Sequence, residues 1–325
     1  MKTVLILIFS SFCILQAQIV PDSLVYDWSE SGFPQPFPSP KTIVPLTDYQ
    51  SGESTHEDWT DAFLRAVESL EGKQGVIYFP PGDYFFHSTL YLPDSCIIRG
   101  AGADSTRLFF DLEGKSGDCF FIGNYSQVAF DTIPVPCKKG FSEVAGPFLF
   151  RYSPGAYIEI TQDNGDWDVM PAAWAKNCTG QFARVAEIGD SALMLDQALR
   201  LDFEPTLFAR IRPVAPRQMV GIECLAIIRT DTPAVAPLYN IHFNYANRCW
   251  VKGVESIRSS GSHILADASS EITITGSYFH ESVAYDGVGT HGYGVTLIQH
   301  STRIRVEDNI FRHLRHAMMV KQGAN

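Results

Sequence analysis

These 325 residues contain no metal-binding cysteine pattern, no basic excess and no apolar run long enough for a stable membrane anchor. No two cysteines form a CxxC pair, and none stands with histidine at metal-ligand spacing, so a zinc site is not expected. Cys96, Cys119, Cys137, Cys178, Cys224 and Cys249 are dispersed through strand-like text, where buried free thiols are expected rather than a disulfide framework. Lys and Arg number 25 against 36 Asp and Glu, a net charge of -11 that argues against a nucleic-acid partner. The first apolar run, TVLILIFSSFCILQA (3–17), is short for a bilayer span. It follows Lys2 and ends on the small residue Ala17, so residues 1–18 are expected to be a secretory signal. Phe12 is too bulky for lipid attachment at Cys13. The mature chain is expected to be extracellular or periplasmic, without a membrane span, and monomeric.

What is present is strand-forming text with turns. Residues 19–54, rich in Pro, Ser and Asp, suit an extended arm. Within 55–139, Thr55 followed by Asp58 makes a capping box, and Trp59, Ala62, Phe63, Ala66, Val67 and Leu70 recur at helical spacing. GVIYFPPGDYFF (75–86), LYLPDSCIIRGAG (90–102) and STRLFFD (105–111) follow as strands too close together to admit helices between them. Residues 140–215 alternate like antiparallel strands and predict a small inserted β subdomain, with Gly189-Asp190 as a hairpin turn. Trp167 and Trp174 are expected in its core, with sugar stacking as the alternative. Residues 216–325 return to strand repeats.

DWTDAFLRAV (58–67) with the YFPPGDY, LYLP and IIRGAG runs resembles the N-terminal module of the pectate-lyase-like superfamily. That resemblance implies an all-β, single-stranded right-handed parallel β-helix with a short capping helix. It implies action on glycans without choosing a reaction, since the superfamily holds lyases, hydrolases, epimerases and phage tailspikes. CWVKGVES (249–256), YDGVGTHGYGV (285–295) and FRHLRHAMMVKQGAN (311–325) further resemble a group of secreted bacterial β-helix proteins.

Internal repeats carry the physical case. Strands beginning at Trp250, Ile272 and Ile304 share one pattern, and a second register equates His242, Ile264, Thr296 and Met318, giving a period of 22 residues. The longer repeat places its extra residues within HESVAYDGVGTHGYG (280–294), the chief candidate for a functional loop. Three positions after the second register stand Tyr245, Asp267, Gln299 and Lys321, a column too polar for a dry core and so expected to line an outer face.

Eliminative cleavage of a uronic-acid polymer needs a charge neutraliser, a base and an acid. His291 or Lys321 are candidate bases, Tyr293 or Tyr285 acids, and Arg315 or His316 neutralisers. Asp286 is an orienting or catalytic candidate, and Tyr245, Tyr285, Gln299 and His316 are candidates for holding substrate. Asp267 and Glu281 are candidate Ca2+ ligands, with Asp286 a third. The basic segment from Arg303 to Lys321 suits an acidic extracellular polysaccharide. A glycoside hydrolase using Asp267 and Asp286, or a non-catalytic glycan-binding solenoid, are the alternatives. Asn325 falls within a coil, so the chain reads as truncated there.

Overall fold

In a computed structural model, residues 29–50, 58–124, 128–176, 178–231, 238–286 and 289–324 are described. The signal segment, Thr55, Asn177 and Gly287 lie outside them. Among the described residues no helix is long and apolar enough to cross a membrane.

From Ser31 onward the chain forms one compact unit. Three parallel sheets are visited in rotation. Sheet A runs Ile43–Pro45, Gly75–Phe79, Cys96–Gly100, Gly221–Glu223, Trp250–Lys252, Thr273–Thr275 and Arg305–Glu307. Sheet B runs Gly82–Phe86, Thr106–Phe110, Ala226–Arg229, Glu255–Ser259, Tyr278–Ser282 and Ile310–Arg312. Sheet C runs Leu90–Tyr91, Phe120–Gly123, Tyr239–Asn244, Ser262–Asp267, Tyr293–Ile298 and His316–Val320. Each A, B, C circuit is one coil, and every strand pairs in parallel with its equivalent in the next coil, which makes a parallel β-helix.

Period and register differ from the repeat reading by one residue. Trp250 pairs with Thr273, and His242 with Leu265, Thr296 and Met319, so the short coil is 23 residues long. A one-residue slip sends a side chain to the opposite face. The expected single polar column therefore splits: Asn244, Asp267, Ile298 and Lys321 share a register, and Tyr245, Ala268, Gln299 and Gln322 share the next. The latter four all have left-handed backbone, as do Met219, Arg248, Glu271 and Arg303 where the chain passes from sheet C to sheet A. Corners repeat because each needs the same tight reversal.

The interior is a continuous apolar stack including Phe79, Phe86, Phe110, Phe120, Ile222, Val251 and Ile274. Helix Thr60–Ser69 adds Ala62, Phe63 and Ala66 to that stack, and its first turn is met by the Asp58 carboxylate, which accepts from Thr60 N at 2.9 Å. Of the expected arm, Gly32 to Phe37 lies on the outside of sheet A, whereas Ile43–Pro45 joins that sheet as its first strand and Leu46 enters the core. Phe33 and Phe37 pack on Trp250, Gly32 N donates to Arg303 O at 2.8 Å, and Phe33 N donates to Thr273 Oγ1 at 2.8 Å. A side chain at Gly32, whose φ is +85°, would meet Thr273 and Arg305 within 2.8 Å, so only glycine seats here.

His263 is wholly buried beside Phe279 and bonds Ser256 Oγ at 2.8 Å. Burial lowers it from its ordinary 6.5 to about 3. Its folded pKa is depressed, so the stability it contributes is full above pH 6.5 and is lost as the pH falls toward 3. Thermal unfolding followed across that range is expected to show this decline, and His263→Asn to flatten it.

The insert is a separate six-stranded antiparallel sheet between the sheet C strand Phe120–Gly123 and the sheet A strand Gly221–Glu223. Its strands begin at Asp131 and end at Val214, so it starts earlier than the alternation at 140 indicates. Ile133, Ile158, Ile160, Val185, Phe203 and Ile211 belong to its own core. Trp167 and Trp174 do not: they are 66% and 67% exposed, because a core already filled by aliphatic residues leaves both indoles outside.

Candidate functional site

The long loop joins sheet B to sheet C in the penultimate coil and folds over the last one. Gly292 makes this possible, since with φ of +74° a side chain there would strike Ala284 O and Arg315 Cβ. Arg315 N and His316 N both donate to Gly292 O, at 2.7 and 3.3 Å. Loop and last coil together gather Tyr293, His291, Arg315, His316 and Lys321.

Arg315 Nη1 donates to Gly289 O at 3.2 Å, and its guanidinium lies over the Tyr293 ring, 5.9 Å from the centroid. The His316 ring is 5.2 Å from the same ring on the other strand. Lys321 Nζ donates to Thr290 Oγ1 at 2.9 Å, and partial burial pushes its ammonium below the ordinary value. Among the described residues neither Arg315 nor Lys321 pairs with a carboxylate, although acidic residues outnumber basic ones in the chain. Both cations are thus held by neutral groups at one corner of the coil.

The other expected residues are distributed differently. His291 Nε2 bonds the Asp286 carbonyl and also lies 3.4 Å from Arg315 Nη1. Asp286 thus contributes its backbone, and its side chain is exposed. Tyr293 is buried, its hydroxyl donating to Gly289 O at 3.3 Å, whereas Tyr285 is 45% exposed on the same loop. Gln299 sits at a left-handed corner.

Tyr245 is not in the loop cluster. Its hydroxyl lies 3.1 Å from both Glu159 oxygens and accepts from Arg212 Nη2 at 2.7 Å, beneath the insert. Glu159 also meets Arg212 Nε at 2.6 Å and His300 Nε2 at 2.8 Å. Burial raises the Glu159 carboxyl, but bonding and charge from His300 and Arg212 outweigh it, and the net direction is downward. This hub ties the insert to the coils. Sequence reading missed it because its partners come from distant segments.

The Ca2+ candidates do not converge. Glu281 accepts from His313 Nδ1 at 2.6 Å in sheet B text, while Asp267 belongs to sheet C. Among the described residues no three His, Cys, Asp or Glu side chains are placed to share a metal ion. Asp267 is held by Asn244 Nδ2 at 3.3 Å, and burial raises its carboxyl above the ordinary value, so its charge is disfavoured there. Removing its charge should therefore not hurt folding: Asp267→Asn is expected to match or slightly exceed the parent in neutral-pH thermal unfolding.

Nearby, the His242 ring meets Asp118 Oδ2 through Nδ1 at 2.7 Å, between the rings of Phe121 and Tyr239. Tyr91, Phe121 and His242 share one register on successive sheet C strands.

No family model matches the chain, and no curated protein matches it in sequence. Solved structures do resemble it. The tailspike gp61 of Pseudomonas phage phi297 superposes with a TM-score of 0.64 at 12% identity, over 87% of this chain and 49% of the tailspike. The tailspike gp49 of Pseudomonas phage LKA1 gives 0.57 at 16% identity, over 82% and 41%. The Gp54 tailspike of Acinetobacter baumannii bacteriophage AP22, solved in complex with A. baumannii capsular saccharide, gives 0.55 at 16% identity, over 83% and 44%. The chain spans less than half the length of each, and at these identities the likeness is one of fold.

Proposed function

We propose that this chain is a secreted, right-handed β-helix protein, closed at one end by its helix, that binds an acidic extracellular polysaccharide and cleaves it by β-elimination. The observation that carries this reading is the corner where Arg315 and Lys321 are fixed by neutral oxygens and by no carboxylate. A uronate carboxylate is the chemistry such a corner accepts. Arg315, with His316 beside it, would neutralise the sugar carboxylate and so acidify the adjacent C5 proton. Lys321, its ammonium destabilised by burial, would take that proton. Tyr285, exposed on the loop, is the proton donor for the leaving oxygen, and Tyr293 positions Arg315. The tailspike solved with a capsular saccharide shares the fold and so lends the glycan class support.

The hydrolase alternative has less behind it. Of its pair, the Asp267 carboxylate accepts from Asn244 at 3.3 Å on a sheet C strand and Asp286 is exposed on the loop. Incubating the full chain with pectic, alginate, ulvan and glycosaminoglycan polymers distinguishes the readings. Elimination produces a conjugated double bond that absorbs in the ultraviolet. New reducing ends without that absorbance would mean hydrolysis, and retention without products would leave a binder.

A further inference from the structure

The insert carries a feature that the loop chemistry does not use. Trp167, Val169, Met170, Trp174 and Phe208 are between 66% and 86% exposed, and the first four belong to the segment 163–176, whose neighbouring residues line a cleft of about 350 Å³. Tryptophan is rarely this exposed, and a cluster of large apolar side chains at a surface marks a recognition site. The cleft is lined by Asp163, Asn164, Asp168, Pro171, Ala172 and Lys176.

Its polar groups are positioned but not used up. Asn164 is fixed through both ends of its amide: Nδ2 donates to Asp168 Oδ2 at 2.7 Å and to Ala175 O at 3.0 Å, and Oδ1 accepts from Thr179 Oγ1 at 3.3 Å. Those bonds orient Asp168 while leaving its second oxygen open, and among the described residues neither Asp163 nor Lys176 enters an ion pair. Flat indoles with a few directed acceptors and one donor suit a ring that is apolar on its faces and hydroxylated at its edge. A volume of this size holds a small saccharide. Charge decides between sugar types. Two carboxylates against one ammonium disfavour an anionic ring, the reverse of the corner at Arg315 and Lys321.

We infer that the tip of the insert is a second glycan-binding site, specific for an uncharged, hydroxyl-rich sugar. It adjoins the last coil, since Gln322 Nε2 donates to Trp174 O at 2.9 Å one residue beyond Lys321. A polymer containing both neutral and acidic residues would thus be held at two chemically distinct places. This site does not depend on the reaction assigned to the loop.

Tryptophan fluorescence of the full chain provides the test, because among the described residues Trp59 and Trp250 are buried and Trp167 and Trp174 are exposed. The chain is titrated with neutral oligosaccharides of glucose, galactose, mannose, rhamnose and N-acetylglucosamine, with calorimetry in parallel. At least one should shift the emission to shorter wavelength and bind, and Trp167→Ala or Trp174→Ala should weaken it at least tenfold. Asp168→Asn should weaken the same ligand with both indoles intact. Binding unaffected by all three substitutions, or no binding by any neutral oligosaccharide, overturns the inference. So does self-association in sedimentation that vanishes in the Trp167→Ala/Trp174→Ala variant, which would make the patch a contact between copies. Turnover of short acidic fragments should be unchanged in these variants, so failure here and failure of the elimination reading are separable.

Discussion

Lys321→Ala is expected to lower elimination of an acidic polymer by about 10²–10⁴-fold, the range for loss of a positioned proton-transfer group. The fold should survive, because Lys321 is only part-buried and its one side-chain bond is to Thr290. The pH profile separates catalysis from mere charge. A lysine acting as base works when neutral, so the parent's rate should climb with pH and level off below the ordinary lysine value of 10.5, because burial lowers this group. Lys321→Arg keeps the charge but cannot lose its proton, and it should remain as inactive as the alanine variant. Recovery of activity in Lys321→Arg would mean that position 321 only attracts substrate.

Glu159→Ala should cost about 3–5 kcal/mol of stability, as expected when one partner of a buried ionic group is removed. Arg212, His300 and Tyr245 would be left facing each other without their shared acceptor. Chemical unfolding measures this, and loss of the insert's attachment should precede loss of the coils. Replacing Glu159 and Arg212 together by methionine should cost much less, since no lone charge remains. The folded pKa of Glu159 is depressed, so its contribution is full above the ordinary carboxylate value of 4.5 and is lost as the pH falls through the lower folded value. Glu159→Gln should remove that acid dependence.

The parallel coils were legible because strand text alternates locally and turn residues punctuate it. The register was not, because a one-residue slip between Ile264 and Leu265 is nearly silent in a repeat whose loops vary in length. The slip matters for the site: the repeat put Tyr245 and Lys321 in one column, where the pairing sets Gln322 in the column of Tyr245 instead. The loop cluster was readable because the extra residues of a longer repeat must leave the coil at a corner. The Glu159 hub was unreadable, since Glu159 and His300 are 141 residues apart and neither sits in a motif. Exposure of Trp167 and Trp174 was equally hidden, because composition says which residues could fill a core and not whether it is already full.

The strap from Gly32 to Phe37 changes how this molecule comes apart. A solenoid whose coils touch only their neighbours behaves as a one-dimensional array, able to fray from its end one unit at a time. Here residue 32 is bonded to residue 303 and residue 33 to residue 273. Fraying of the final coils must therefore also release the strap, adding to the first step a cost that a simple stack lacks. The described coils are in effect tied together along the outside of sheet A.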